Sequence, residues 1–245
     1  MSESITNSMG DFSPSGNPIL RHGEPTAWQH AVGEQFLEDI SNHIATHLGP
    51  ISSVFHEIVS DTVHIDVHIV PPNDRCPFMR LVTSGMSDLP MTTPDDPDIP
   101  KYVELMMTLP GDWRVDQASC DDENWYWPTD NLKYLARLPH KCQTWLGWGH
   151  TIPNGNPMVP YAPNTKLCGA IILPSVTVPD EFHQLDIPDQ KRITFYAVVP
   201  LYEGEMNLKL QLGSDELLKR FGRKHITDAV DLNRKDVSRK LFGIW

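Results

Sequence analysis

The sequence predicts an α+β protein built on one mixed, mostly antiparallel sheet with flanking helices. β-rich runs occur in groups, and amphipathic helical segments lie before, between and after those groups instead of alternating with single strands. No internal repeat is visible. A chain of 245 residues, of which 40% are hydrophobic, carries enough apolar surface to bury a full core.

The first helix is predicted over residues 25–48. An apolar residue recurs at every fourth position of this segment, at Trp28, Val32, Phe36, Ile40, Ile44 and Leu48. Gly49 then ends the helical pattern. We therefore expect Trp28 and Phe36 to be buried against a sheet that includes residues 192–199.

The strands are predicted from period-two alternation and from short apolar runs. Residues 54–59 and 62–70 are expected to form a hairpin. Its second strand places Val63, Ile65, Val67 and Ile69 on one face, and His64, Asp66 and His68 on the other. Further strands are predicted at residues 80–84, 102–109, 169–173 and 192–199, with a Pro- and Asp-rich loop at residues 89–100.

Later helices are predicted at residues 128–138, from residue 201 to 212, and at residues 215–221, the last capped by Ser214. The segment from residue 141 to 166 is rich in Gly, Pro and Asn and is expected to form a long structured loop, the kind of element that often carries function. We expect residues 1–20 to be partly disordered and residues 21–245 to form one domain.

Composition restricts the classes of partner. The formal net charge of −12 disfavours nucleic acid and anionic membranes, whose binding depends on clustered Lys and Arg, and it favours a basic protein partner. No run of about 18 apolar residues is present, and the N-terminus lacks a signal-peptide pattern, so we expect a cytoplasmic protein. The four cysteines form no Cys-x-x-Cys pair, and neither a metal nor a cofactor is expected.

Several segments carry a family resemblance through their order and spacing. They are the run Thr-Ser-Gly-Met-Ser at 83–87, residues 102–107, Leu109 with Pro110, Trp127 with Pro128, and residues 193–202. Together they resemble the suppressor-of-fused (Sufu) domain family, in its bacterial stand-alone form. The resemblance implies a Sufu-like fold and a protein-binding module without catalytic activity.

The resemblance also implies kinds of partner. Animal members hold a transcription-factor peptide as an added strand between this domain and a second one, and bacterial members are associated with toxin–immunity loci. The family's Gly-Asp-His segment corresponds here to Trp148, Gly149 and His150, so the histidine matches and the acid does not. We therefore do not transfer transcription-factor binding, and we expect a protein partner such as a basic toxin, neutralised by an immunity protein.

The candidate binding surface is aromatic with an acidic rim. Trp and Tyr serve well as interface anchors because each buries a large area at a low entropy cost. The predicted anchors are Trp125, Tyr126, Trp127, Trp145, Trp148 and His150, and the predicted rim is Asp121, Asp122 and Glu123. The alternative is that these rings cover the sheet edge as part of the core.

Two kinds of enzyme site are alternatives to a protein-binding surface. His64, Asp66 and His68 could converge on a metal from one strand face, or could be the ordinary polar face of a strand that meets solvent or a helix. A thiol enzyme would use Cys142 or Cys168 with His140 or His150 and an Asp. A structural subunit of a larger complex is a third alternative function. Among the acidic residues, Glu104 is expected to face solvent, and Glu203 is expected to cap the helix that follows it.

Overall fold

A computed structural model describes residues 12–20, 36–56, 63–188 and 190–238, without the side chain of Gln117. Besides three short 3₁₀ helices, four α-helices and eight strands make up the regular structure of these ranges. In chain order they are α1 (Leu37–His47), β1 (Ser53–Phe55), β2 (Asp66–Val70), β3 (Met79–Ser84), β4 (Tyr102–Leu109), α2 (Glu123–Lys141), β5 (Thr151–Pro153), β6 (Leu167–Leu173), β7 (Gln184–Ile187), β8 (Lys191–Tyr202), α3 (Glu203–Leu212) and α4 (Ser214–Arg223).

The strands form one mixed sheet in the order β1-β2-β3-β4-β8-β6-β5, with β7 paired to β8. The pair β4 and β8 is parallel, and the other pairs are antiparallel. The predicted α+β class with a mostly antiparallel sheet is therefore confirmed. Within the described residues, no helix is both long enough and apolar enough to cross a bilayer.

Strand β8 is the centre of the sheet and the longest strand of the described chain. The first half of its 12 residues pairs with β4 on one side and β7 on the other, and its second half pairs with β6. Ile193, Ala197 and Val198 are fully buried. This apolar run matches the central strand predicted at residues 192–199.

The sheet separates two apolar cores because its side chains alternate between the faces. One core packs α2 against Val63, Ile65, Val67 and Ile69, as the predicted alternation requires. The other packs α1, α3 and α4 against Val82, Met106 and β8. Fully burying a side chain of this size contributes roughly 1.5–3 kcal/mol.

Helix α1 is shorter in the described chain than predicted, since it begins at Leu37. Phe36 is buried in the core with Phe195, as expected. The predicted positions Trp28 and Val32 lie outside the described residues. The predicted hairpin is present as β1 paired with β2, although the residues that connect the strands at 57–62 also lie outside the described ranges.

Helix α2 begins five residues earlier than predicted because Asp122 caps it. The side chain of Asp122 accepts a hydrogen bond from Asn124 N at 2.9 Å. Pro128 then lies inside the helix, where it cannot donate to the carbonyl of Asn124. That carbonyl instead accepts from Asn164 Nδ2 at 3.2 Å, so the loop between β5 and β6 supplies a hydrogen bond in its place.

The predicted cap of α4 is wrong by one residue. Gly213, with φ of +86°, occupies the cap position, and Ser214 is already the first helical residue. A positive φ of this size favours glycine, so the chain turns from α3 into α4 one residue before the predicted position. This tight corner places Ser214 beside the loop that precedes β5, as described below.

Candidate protein-binding surface

The three aromatic residues at the start of α2 differ in burial. Trp127 is only 5% exposed and stacks on Tyr161, with ring centroids 5.1 Å apart. Trp125 is half-buried against Trp113, whose indole N–H donates to its carbonyl oxygen at 2.9 Å. Tyr126 is half-buried and meets Phe55 edge to face. Trp127 is therefore part of the core, while Trp125 and Tyr126 are each partly accessible.

The predicted acidic rim has one engaged member. Asp121 and Glu123 are exposed. Asp122 is half-buried and uses its carboxylate to cap α2 through Asn124. Two of the three carboxylates are thus available to a partner, and the third holds the helix.

The loop between α2 and β5 places Trp145 and His150 against each other. Their ring centroids are 4.1 Å apart, and both rings are partly buried. The pKa of His150 is lowered to about 4, mainly by burial and also by the charge of Lys209, while a hydrogen bond with the Trp145 backbone opposes both effects. His150 is therefore neutral near pH 7.

Trp148 is the most exposed tryptophan of the described chain, with 51% of its surface accessible. The backbone that follows Trp148 is nevertheless fixed by hydrogen bonds to β6. Gly149 N–H donates to the Ile172 carbonyl at 2.8 Å, and Ile172 N–H donates to the His150 carbonyl at 2.9 Å. These hydrogen bonds extend the pairing of β5 with β6 by one residue pair beyond Thr151 and Ile171. The backbone next to Trp148 is therefore fixed, although the ring of Trp148 is exposed to solvent.

Strand β5 is the last strand on its side of the sheet. The His150 carbonyl and the Asn154 N–H both bond to β6. Because the bonding direction alternates along an antiparallel pair, the N–H and C=O of Thr151 and the C=O of Pro153 are directed away from β6. This short edge can accept an added strand, and Pro153 limits its length because it lacks an N–H.

The corner between α3 and α4 adjoins Trp148. A Cβ atom at Gly149 would lie 3.1 Å from Ser214 Oγ, so the loop and the corner are in contact. Leu212, two residues before Ser214, is 55% exposed. The exposed apolar residues Trp148 and Leu212 thus lie within two positions of this contact in sequence.

The three residues considered for a metal do not meet at one point, because His68 is engaged apart from His64 and Asp66. Asp66 and His68 are buried. The Asp66 carboxylate bonds to His64 Nε2 at 3.1 Å and to His56 Nδ1 at 3.0 Å, while His68 Nε2 bonds to Ser84 Oγ at 2.9 Å. Burial lowers the pKa of His68 to about 4. Across the described ranges, no group of three His, Cys, Asp or Glu side chains is arranged to hold a metal ion.

The residues considered for thiol chemistry are also engaged elsewhere. Burial raises the pKa of both the Cys142 and the Cys168 thiols, which disfavours the reactive thiolate. His140 Nε2 bonds to the Met86 carbonyl at 2.9 Å. His150 faces Trp145, as described above. This arrangement offers no activated nucleophile among these residues.

Sequence reasoning missed two buried carboxylates. Glu104 was expected to face solvent, but it is fully buried and accepts from Thr83 Oγ1 at 2.6 Å, from Ser87 Oγ at 2.7 Å and from Ser87 N at 2.9 Å. The expected helix cap at Glu203 is instead made by Glu205, whose Oε2 accepts from Tyr202 N at 3.0 Å. The hydroxyl-rich run at 83–87 was the available signal for the first, since hydroxyls are suited to receive a buried carboxylate.

Comparison with known proteins places these features in a family. The sequence profile described as suppressor of fused protein (SUFU) matches residues 61–235. No curated protein sequence matched the chain. A SUFU homolog from Neisseria gonorrhoeae superposes with a TM-score of 0.62 at 16% identity, covering 84% of this chain and 98% of the homolog. A chain of the Sufu–Fu complex crystal structure superposes with a TM-score of 0.55 at 13% identity, covering 88% of this chain and 93% of that chain.

Proposed function

Because the chain belongs to the suppressor-of-fused family, we propose that it is a non-enzymatic protein-binding module whose single domain spans residues 21–245. One observation carries the proposal: Trp148 is half-exposed on a backbone held by β6, beside the outer edge of β5. Exposed aromatic anchors on rigid backbone are typical of interface hot spots. The Sufu–Fu complex supports the proposal in that a protein of the same fold binds another protein.

The proposed interface is centred on Trp148, Leu212 and the edge of β5. An extended segment of the partner would add to the outer N–H and C=O of Thr151, and its side chains would cover the two exposed apolar groups. Trp145 and His150 contact each other and would hold the loop that carries Trp148. The half-buried rings of Trp125 and Tyr126 offer a second contact area on α2.

The more specific form of the proposal is an immunity protein in the bacterial cytoplasm. The net charge of −12 would attract a basic toxin over long range and speed their association. Asp121 and Glu123, exposed at the start of α2, supply part of that charge. A metal-dependent or thiol enzyme is less well supported, since His68 bonds to Ser84 and does not join His64 and Asp66, and the pKa of the Cys142 thiol is raised.

The experiment that tests the proposal is site-specific photocrosslinking in cells of the source organism. A photoreactive amino acid is placed at Trp148, at Thr151 or, as a matched control, at Tyr134 on α2, which is 59% exposed. We expect one protein to be captured from positions 148 and 151 and not from 134. Capture of the same protein equally well from all three positions contradicts the proposed surface.

The partner is then purified and its affinity measured. We expect Trp148→Ala to weaken binding by about 2 kcal/mol or more, roughly thirtyfold, whereas Tyr134→Ala leaves the affinity unchanged. Unchanged affinity of Trp148→Ala would place the interface elsewhere. For the immunity role, the partner should arrest growth when expressed alone and should not do so when this chain is coexpressed.

A further inference from the structure

Glu104 is a fully buried carboxyl group that forms no ion pair within the described residues. It lies in β4, and none of its surface is exposed. Within the same residues it accepts hydrogen bonds only from neutral groups, namely the Thr83 hydroxyl, the Ser87 hydroxyl and the Ser87 N–H, at 2.6, 2.7 and 2.9 Å. An ionised carboxylate that is buried without a cationic partner is costly, so the site favours the protonated form.

A short turn closes over this carboxyl group. Residues 86–88 form a single 3₁₀ turn, and Ser87 in its middle donates two of the three hydrogen bonds to Glu104. The turn is held elsewhere through its carbonyl groups. The Met86 carbonyl accepts from His140 Nε2 at 2.9 Å, and the Ser87 carbonyl accepts from Lys191 Nζ at 2.6 Å. Side chains from β4, α2 and β8 therefore meet at one turn.

The second half of this turn reaches the surface. Met86 is fully buried in the apolar core and anchors the turn, whereas Asp88 and Leu89 are half-buried and Pro90 is exposed. Between the turn and Tyr102, where β4 begins, the chain forms no helix or strand. The part of the turn after Met86 can therefore move outward without breaking the pairing of β3 with β4.

Among the titratable groups around this turn, Glu104 is the one whose pKa lies near neutrality. Burial raises the pKa of Glu104 to about 7, its hydrogen bonds oppose the shift, and the charge of Asp88 adds to it. Lys191 contributes a positive charge that acts on the same carboxyl group. Burial lowers the pKa of His140 in α2, and it lowers the pKa of His68 in β2 to about 4, so both imidazoles are neutral near pH 7.

We propose that Ser87 and Asp88 form a cover over Glu104 that opens by local unfolding when the carboxyl group loses its proton. Opening lets water solvate the carboxylate, which the closed cover prevents. The closed state has the raised pKa and therefore binds the proton more tightly than the open state. Its extra stability is fully present below the ordinary pKa of a glutamate and is lost as the pH rises through about 7. No bound partner is needed for this opening.

Hydrogen exchange of the Ser87 amide tests the proposal, because that N–H donates directly to the Glu104 carboxyl group. Dividing the measured rate by the intrinsic rate at the same pH gives the opening constant and removes ordinary base catalysis. We expect the opening constant of wild type to rise roughly tenfold between pH 6 and pH 8. An opening constant that does not change with pH overturns the proposal.

Two variants assign the response to one carboxyl group. Glu104→Gln keeps the shape of the side chain and cannot ionise, so its Ser87 opening constant should be equal at pH 6 and pH 8. Glu181→Gln, at an exposed position, should respond to pH as wild type does. A pH response in Glu104→Gln as large as that of wild type would show that another group controls the cover.

Low concentrations of urea distinguish the cover from unfolding of the whole domain, which also exposes Glu104. A local opening exposes little surface, so urea should hardly change the Ser87 opening constant. The amide of Ala197, fully buried in β8, should exchange faster as urea is added, because it requires global unfolding. The same dependence on urea for both amides would mean that the turn opens only with the whole domain, and the cover would be rejected.

An NMR titration of the glutamate carboxyl carbons gives a measurement that needs no variant. We expect the Glu104 signal to change with a midpoint at about pH 7. A midpoint at the ordinary glutamate value would overturn the proposal, because the closed cover would then tolerate the ionised carboxylate as well as the open state does.

Discussion

Arg234 forms a two-pronged ion pair with Glu205, with Nη1–Oε1 at 2.5 Å and Nη2–Oε2 at 2.6 Å. Both groups are buried, and the guanidinium also lies 4.7 Å from the centre of the Tyr202 ring. The same carboxylate accepts from Val237 N at 3.1 Å. One ion pair therefore joins the segment after α4 to the start of α3.

Arg234→Met is predicted to destabilise the fold by about 3–5 kcal/mol, because it leaves the Glu205 carboxylate buried without its charge partner. Urea unfolding followed by circular dichroism measures this loss. Arg192→Met provides the control, since Arg192 pairs with Asp186 at the surface and its removal should leave the unfolding midpoint unchanged. Similar midpoints for the two variants would contradict the structural role of the buried pair.

Glu104 is predicted to make stability fall as the pH rises. Burial raises its pKa from 4.5 to about 7, although hydrogen bonds from Thr83 and Ser87 partly oppose the shift. The folded state thus binds this proton more tightly than the unfolded state. The resulting stabilisation is fully present below the unfolded pKa and is lost as the pH rises through about 7.

The measurement compares wild type with Glu104→Gln, which keeps the shape and cannot ionise. We expect the unfolding free energy of wild type relative to the variant to be about 3 kcal/mol larger at pH 4 than at pH 8, which means that wild type is relatively more stable at pH 4. Other titrating groups cancel in this difference. A difference that does not change with pH would mean that Glu104 has a similar pKa in both states.

Gly85 is predicted to be irreplaceable within the run 83–87. Its φ is +100°, and a Cβ there would lie 1.9 Å from the His64 carbonyl oxygen. Gly85→Ala should cost about 3 kcal/mol or more, through strain and displacement of the backbone. Gly222→Ala, in the last turn of α4 with open space around it, should instead stabilise by about 0.5–1 kcal/mol. If both substitutions have equal effects, the close approach to His64 is not a constraint.

Much of the fold could be predicted because local pattern and final burial agree. The alternation at Val63, Ile65, Val67 and Ile69 and the apolar run in β8 both match buried positions. The burial of Glu104 could not be predicted in the same way. It depends on hydrogen bonds to its carboxylate from Thr83 and Ser87, which the pairing of β3 with β4 brings close. Similarly, the carbonyl of Asn124, which Pro128 leaves without a donor inside α2, accepts a hydrogen bond from Asn164, 40 positions away in sequence.

The candidate site shows the same limit at the level of single side chains. Sequence placed six aromatic and histidine residues in one group, but residue type alone does not separate a core tryptophan from an exposed one. Trp127 is covered by Tyr161 from a later loop, whereas Trp148 is flanked by buried glycines that leave its ring outside.

Trp127 and Trp148 are therefore predicted to have opposite effects when truncated. Trp127→Ala removes a ring that is 95% buried and should cost about 3–5 kcal/mol of stability, largely through the cavity it leaves. Trp148→Ala removes a ring that is half in water and should change stability by no more than about 0.5 kcal/mol. Urea unfolding of the two variants measures their loss of stability, and the affinity of each variant for the crosslinked partner measures the loss of binding. Trp148→Ala should lose binding while it stays folded, because its ring contributes to contact rather than to the core. If Trp148→Ala unfolds as readily as Trp127→Ala, the loop before β5 is held by that ring, and Trp148 belongs to the core despite its exposure.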